Sequence, residues 1–278
     1  MGILNVTSDS FSDGGRYIVR DAALRRAEQM LAEGADLLDI GGESTRPNAP
    51  SVPLDEELVR VVPVVEALQA MRVPLSIDTY KPEVMRATLA AGADLINDIW
   101  GFRQPGALEA VKDGDCGLCI MHMLGEPRTM QLGEPDYFDV VAEVRAFLAG
   151  RAADCLANRI PAQRISVDPG FGFGKATIEH NYALLACLPD TAPLRPDGHP
   201  YPILASISRK SMLGALIGKP PVERVAASVA AAVCAAERGA AIIRVHDVAA
   251  TVEALKIWRA VRDAAPPPER QGRPLRGD

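Results

Sequence analysis

Disulfide bridges, membrane spans and nucleic-acid binding all lack their usual marks in this chain. Its five cysteines among 278 residues, Cys116, Cys119, Cys155, Cys187 and Cys234, are odd in number and scattered, which fits a reducing compartment and no disulfide framework. Cys116 and Cys119 form a CxxC, but Cys119 falls inside the apolar run GLCIM and no second pair is available for zinc, so neither a redox nor a metal centre is expected there. No stretch approaches the ~20 consecutive apolar residues that a membrane-spanning helix needs. The opening MGILNVTSDS lacks a basic segment followed by an apolar one, so no secretory signal is expected and the cytoplasm is the expected location. A net charge of −6 argues against non-specific nucleic-acid binding and against an anionic membrane surface. Any anionic ligand must therefore be captured by a local cluster of cations.

What the chain does contain is alternation. Apolar residues make up 48% and charged residues 24%, ordinary for a globular protein of a size able to bury one large α/β domain or two small ones. Strand-like apolar runs occur at 2–6, 35–40, 74–78, 93–98, 117–121, 164–168, 203–207 and 241–245, each followed by a helix-periodic stretch. Those stretches include Ala23 to Leu31, Leu54 to Leu68 (where Pro63 should kink the helix), a helix that Pro82 can start, and one from about Pro105. Further along come Asp139 to Asn158, Ile178 to Cys187, segments on both sides of Gly218, and Ala249 to Val261. Eight such units without a composition break predict a single (β/α)8 TIM barrel over residues 1–265. A doubly wound sheet is the alternative, but it usually has fewer units and a phosphate-binding glycine turn after its first strand. The tail 266–278, PPPERQGRPLRGD, is rich in Pro, Arg and Gly and is expected to be disordered. The first strand begins at Met1, so either the chain is a shortened form or its barrel floor is more open than usual.

Barrels of this kind build their chemistry at the carboxyl ends of the strands. Those ends read Asn5, then TSDSFSDGG; Asp39, then GGESTRP; Asp78; Asn97 and Asp98; Met121 and His122; Asp168, then PGFGFGK; Ser208, Arg209 and Lys210; and Arg244 with His246. Asp78, Asn97 and Asp168 offer carboxylate and amide oxygens on nearby strands, which suits a planar ligand rich in N–H donors. Arg46, Lys210, Arg244 and His246 suit phosphate, which a guanidinium can hold with two parallel bonds. At Ser208–Ser211 a strand runs straight into a helix start, which favours an anion. The two groups together describe a site for a heterocycle that carries a phosphate. Asp39 reads equally as a ligand-binding residue or as one that supports a binding residue from behind or caps a helix, and His122 equally as a core histidine. His180 reads as a helix-surface residue, His199 as a loop residue. The GFGFGK segment is no phosphate-binding P-loop, because Pro169 and Ala176 stand where that motif needs Gly and Ser or Thr. It reads as a flexible, close-approach loop with Phe173 as an aromatic wall.

The segments MGILNVTSDSFSDGG, GGESTRP, SIDTYKP, INDIWG, IMHM, DPGFGFGK, SRKSMLG and IIRVHDV, in this order from Met1 to about Ala264, resemble the dihydropteroate synthase family of pterin-binding barrels. The resemblance implies that p-aminobenzoate attacks the C9 methylene of 6-hydroxymethyl-7,8-dihydropterin diphosphate, releasing pyrophosphate and giving 7,8-dihydropteroate. It implies that Asp78, Asn97, Asp168 and Lys210 bind the pterin, that Asn5 coordinates Mg²⁺ together with the diphosphate, and that Arg46, Arg244 and His246 hold phosphate oxygens. It places Thr45, Pro47, Phe173, Ser208 and Lys210 at or near the p-aminobenzoate subsite, which sulfonamides occupy in the family. Asp13 and the loops 7–15 and 43–50 would fold over the substrates, and a homodimer is implied. Ser8 departs from the family's usual Pro, and Tyr80 from its usual small residue. Within the same fold, a methyltransferase domain that passes a methyl group from methyltetrahydrofolate to a corrinoid protein would share the acids but not SRKSMLG with GGESTRP. A non-catalytic relative would have lost Arg46, Lys210 or Arg244, and all three are present.

Overall fold

The computed structural model describes residues 1–6, 15–44, 50–125, 135–176 and 178–264, with residues 15–19 as backbone only. Asp13, Thr45, Arg46, Pro47 and the tail 266–278 therefore lie outside the described residues, as does most of loop 7–15. Eight parallel strands follow one another around a sheet in sequence order. They are β1 (Gly2–Asn5), β2 (Leu38–Gly41), β3 (Leu75–Asp78), β4 (Leu95–Asp98), β5 (Gly117–Met121), β6 (Ile165–Asp168), β7 (Ile203–Ala205) and β8 (Ala240–Ile243). The sheet closes on itself where Gly2 bridges Val245; Ile3 N donates to Val245 O at 3.0 Å and Val245 N to Met1 O at 3.0 Å. The result is the expected TIM barrel.

Helices alternate with the strands: α1 (Gly15–Ala32), α2 (Leu54–Leu68), α3 (Pro82–Ala90), α4 (Ala107–Val111), α5 (Val140–Ala157), α6 (Glu179–Ala186), α7 (Ser211–Ile217), α8 (Val225–Glu237) and α9 (Val248–Arg262). Local chemistry sets several of their starts. Pro82 opens α3 behind an extended Lys81, where its missing N–H costs nothing. Asp139 caps α5 by accepting from Val141 N and Ala142 N, both at 3.0 Å, while Glu143 reaches back to Asp139 N. α2 runs through Pro63 as one helix.

Because side chains alternate across each strand, one row faces the helices and the next faces the barrel axis. Leu4, Ile40, Ile77, Ile96 and Leu118 are register neighbours and belong to the main hydrophobic core. The rows between them carry the polar groups, and the last of these, Asn5–Gly41–Asp78–Asn97, runs along the carboxyl ends of β1 to β4.

Candidate active site

Two layers of polar side chains form the inner wall on the β1–β4 side. Asp78 and Asn97 are neighbours at the rim. Asp39 and Ser76 lie two residues earlier on their strands, hence on the same face one layer down. Arg244, from the segment after β8, reaches across to both layers: Nε donates to Asp39 Oδ2 at 2.6 Å and Nη2 to Asp78 Oδ2 at 2.7 Å. Asp39 is wholly buried and also accepts from Ser76 Oγ at 2.5 Å and from Asn97 Nδ2 at 3.5 Å. Burial pushes the Asp78 carboxyl up to about 7; Arg244 opposes this, and the charge of Asp39 adds to it.

Asp78 Oδ1 and Asn97 Oδ1 are buried, yet neither finds a hydrogen-bond donor among the described residues. Buried acceptors are nearly always satisfied, and leaving one unmade costs roughly 1–3 kcal/mol. Two adjacent ones at the rim of the barrel mark a place for a ligand's N–H groups.

The opposite wall comes from β5 to β7. Asp168 is buried and accepts from Gly170 N at 2.7 Å; burial raises its pKa, chiefly against the pull of Lys210. Lys210 Nζ donates to Phe171 O at 2.6 Å and sits 4.9 Å from the centre of the Phe173 ring. Burial brings its ammonium down to about 8, with the charge of Asp168 as the main counterweight. Phe173 packs with Ile99, Met121 and Met123, flanked by Tyr80 and Trp100, so the aromatic wall is part of a small apolar cluster. Ser208 Oγ lies 3.0 Å from His246 Nδ1 and accepts from His246 N at 3.2 Å, which couples the end of β7 to the segment after β8.

Arg209, next to Lys210, points elsewhere. It adopts a left-handed backbone with φ of 61° and pairs with Asp247 through Nε at 2.9 Å and Nη2 at 2.5 Å. Only one of the two cations at this strand–helix junction thus reaches toward Asp168 and Phe173. Asp98 likewise turns away from the rim, accepting from Trp100 N at 2.7 Å and Phe102 N at 2.8 Å to shape its own loop. Asn5 ends β1 with its side chain exposed.

The loop after β6 is tied down where the sequence suggests flexibility. Asn181 accepts from Gly172 N at 2.7 Å and donates to Ala176 O at 2.8 Å, and Tyr137 OH donates to Gly174 O at 2.9 Å. His180, expected on a helix surface, accepts from Ala176 N at 3.1 Å. His122 is buried, as the core reading had it: its Nδ1 lies 2.9 Å from Lys175 Nζ and its ring meets Phe147 edge-on. Lys175 also donates to Phe173 O at 3.0 Å, and burial holds its ammonium well below the usual range. The close approach is real at Gly170 and Gly174, whose positive φ angles bring added Cβ atoms to 1.9 Å from His122 O and 2.4 Å from Leu124 O.

Sequence reasoning brings together Asp78, Asn97, Asp168, Lys210, Arg244, Ser208, His246 and Phe173 at one end of the barrel, and the structure places them there. It left Asp39 undecided and passed over Ser76 and Lys175. The i, i+2 spacing of Asp39 with Gly41 and of Ser76 with Asp78 was the available signal, since polar residues inside an apolar strand need a partner across the barrel.

The family model described as pterin binding enzyme matches residues 1–246. The dihydropteroate synthase of Haemophilus influenzae is 49% identical over 265 residues, covering 95% of this chain and 94% of the relative. The crystal structure of Burkholderia cenocepacia dihydropteroate synthase complexed with 7,8-dihydropteroate is 73% identical with a TM-score of 0.88, covering 94% of this chain and 90% of that one. That of Yersinia pestis dihydropteroate synthase with a sulfonamide drug complex is 51% identical with a TM-score of 0.87, covering 95% and 94%.

Proposed function

The chain belongs to the dihydropteroate synthase family of pterin-binding transferases, and we propose that it condenses 6-hydroxymethyl-7,8-dihydropterin diphosphate with p-aminobenzoate to give 7,8-dihydropteroate and pyrophosphate. The observation that carries this reading is the pair of unpartnered buried acceptors, Asp78 Oδ1 and Asn97 Oδ1, facing a wall with Asp168 and Lys210. A dihydropterin edge offers the amino, amide and ring N–H donors that such oxygens lack.

In this reading Asp78, Asn97 and Asp168 receive the ring's N–H groups, and Lys210 lies between the ring and the second substrate. Arg244 uses the nitrogen left free by the two carboxylates, and His246 acts beside it, to neutralise charge on the departing diphosphate. Phe173 and Ser208 border the p-aminobenzoate subsite, the place where the sulfonamides of the family compete. Thr45, Pro47, Arg46 and Asp13 take their roles from the resemblance alone. The bond from C9 to the diphosphate oxygen breaks, the aniline nitrogen bonds to C9, and that nitrogen then loses a proton. Electron donation from the dihydropterin ring supports a cationic methylene, so a dissociative, SN1-like path suits the substrate. A neutral aniline needs no strong base, and no Ser-His-Asp or Cys-His arrangement is required. Fixed cations aimed at the leaving group are then the main source of acceleration.

Among the described residues no group of three or more His, Cys, Asp or Glu is arranged to hold a metal. Mg²⁺ usually takes one or two protein oxygens together with substrate phosphates. The exposed amide of Asn5 fits a metal that arrives with the diphosphate, where it would neutralise leaving-group charge. No helix among the described residues is long and apolar enough to cross a membrane; the cytoplasmic location rests on the sequence, which shows no secretory signal at its start. Leu216, Val222, Ile257 and Val261, strongly exposed on the α7–α9 side, are the surface a second copy would cover in a homodimer; sedimentation tests this, and a monomer at micromolar concentration would contradict it.

The function itself is tested by pyrophosphate release from the dihydropterin diphosphate. Release that requires p-aminobenzoate and Mg²⁺ supports the assignment. No release with both substrates present, or full turnover in excess EDTA, contradicts the reaction or the metal's part in it.

A further inference from the structure

We propose that Asp39 is a positioning residue for the transfer reaction, fixing the Arg244 guanidinium and the Asn97 amide in the orientations that the substrate needs. The inference rests on the functional reading above and adds to it a residue that touches no substrate atom.

Asp39 lies one layer below the rim with no exposed surface. Three side chains from three different strands or loops converge on it: Ser76 Oγ from β3, Asn97 Nδ2 from β4 and Arg244 Nε from beyond β8. A carboxylate oxygen accepts, so it selects the NH2 end of Asn97 and leaves that residue's oxygen as a buried acceptor with no donor among the described residues. Without it the amide is free to turn its NH2 group upward, where it would oppose the ligand's own N–H donors.

The same carboxylate settles Arg244. With Nε held by Asp39 and Nη2 by Asp78, the guanidinium plane is fixed at two points. Nη1 makes no hydrogen bond to the described residues and remains as the donor for a phosphate oxygen. A single carboxylate would leave the fork free to rotate about one bond. Two acids at different depths remove that freedom before substrate binds, which is the pre-organisation that electrostatic stabilisation of a leaving group depends on. A buried carboxylate is costly unless paired, so packing alone gives no reason for an acid at this position.

The test is steady-state kinetics on purified Asp39→Asn, Arg244→Met and the double variant, with thermal melting as the check on folding. Asp39→Asn should lower kcat about 10- to 100-fold, the scale of a misaligned catalytic group. The KM for p-aminobenzoate should stay within about 3-fold, because Asp39 lies away from Phe173 and Ser208. In the Arg244→Met background the same substitution should cost several-fold less in kcat than it does in wild type, since only the Asn97 amide is then left for Asp39 to position. An undiminished loss in that background, or unchanged kcat in folded Asp39→Asn, overturns the proposal. If Asp39→Asn does not fold, Ser76→Ala takes its place: it keeps the charge but loosens the carboxylate. A several-fold fall in its kcat supports the proposal, and wild-type kcat overturns it. Unchanged turnover in Arg244→Met would instead refute the role of Arg244 itself, a failure of the functional reading that is separate from this one.

Discussion

Replacing Arg244 by Met removes a cation bonded to two buried carboxylates, and the cost should depend on pH in a defined direction. The Asp39 side chain is 0% exposed, that of Asp78 7% and that of Arg244 14%, so solvent screens these pairs little. Breaking a buried pair by removing one partner typically costs about 3–5 kcal/mol. Stranded Asp78 can relieve part of it by binding a proton. In the intact protein burial already lifts Asp78 to about 7 against the pull of Arg244. Without the guanidinium its pKa rises further, so the folded variant holds a proton that the unfolded chain, with an ordinary carboxylate, releases. A folded-state pKa raised in this way makes stability fall as pH climbs through the window between the two values. The stability gap between wild type and variant should therefore widen above pH 7, by up to about 1.4 kcal/mol per pH unit until the variant's own pKa is passed. For a chain of this size about 1 kcal/mol moves Tm by roughly 2–4 °C. Melting curves from pH 6 to 9 read this directly: the Tm difference should grow toward alkaline pH. A difference that is flat, or that grows on acidification, would show that Arg244 is not what neutralises these acids.

Other outcomes follow from the same geometry. Burial holds the Lys210 ammonium near 8, so kcat/KM should fall as pH passes about 8 and the ammonium is lost; Lys210→Gln should lack that alkaline limb. The same variant should lose about 2–3 kcal/mol of transition-state binding, roughly 30- to 150-fold in kcat/KM, if the ammonium makes charge-assisted bonds; an unchanged value removes it from the site. Asn97→Leu should weaken binding of a dihydropterin, measured by calorimetry, about 10-fold or more by removing an acceptor, and equal affinity would take the ring away from β4. Gly170→Ala should fold poorly or melt far below wild type, because its Cβ would lie 1.9 Å from His122 O. Gly198→Ala also has a positive φ but nothing within 4 Å, so it should cost only about 1 kcal/mol of backbone strain. Similar melting temperatures for the two would contradict the close approach.

Much of the architecture was legible because buried parallel strands read as short continuous apolar runs, each ending at a polar residue. GLCIM is β5 to the residue, and the other strands lie within or beside their expected spans. The rim acids were legible for the same reason: a carboxylate that ends an apolar strand in a barrel has few places to be except the mouth. Less visible was anything decided by a distant partner. Arg209 and Lys210 are neighbours with the same charge, and only the left-handed backbone at Arg209 and its pairing with Asp247, 38 residues away, separate their roles. The loop after β6 reads as flexible from its glycines, yet Asn181 and Tyr137 bind its backbone from outside. His122 carries no local sign of the Lys175 that faces it. Asp39 was ambiguous because its significance lies in Arg244, 205 residues further along the chain.

The claim beneath all of this is that two unsatisfied oxygens at the barrel mouth await the N–H edge of a bicyclic ring. The most direct measurement is a crystal structure of the protein with a 7,8-dihydropterin bound. Ring N–H groups within hydrogen-bonding distance of both Asp78 Oδ1 and Asn97 Oδ1, with Arg244 still on Asp39, are the predicted result. A ring seated elsewhere, with those two oxygens still lacking donors, would contradict it.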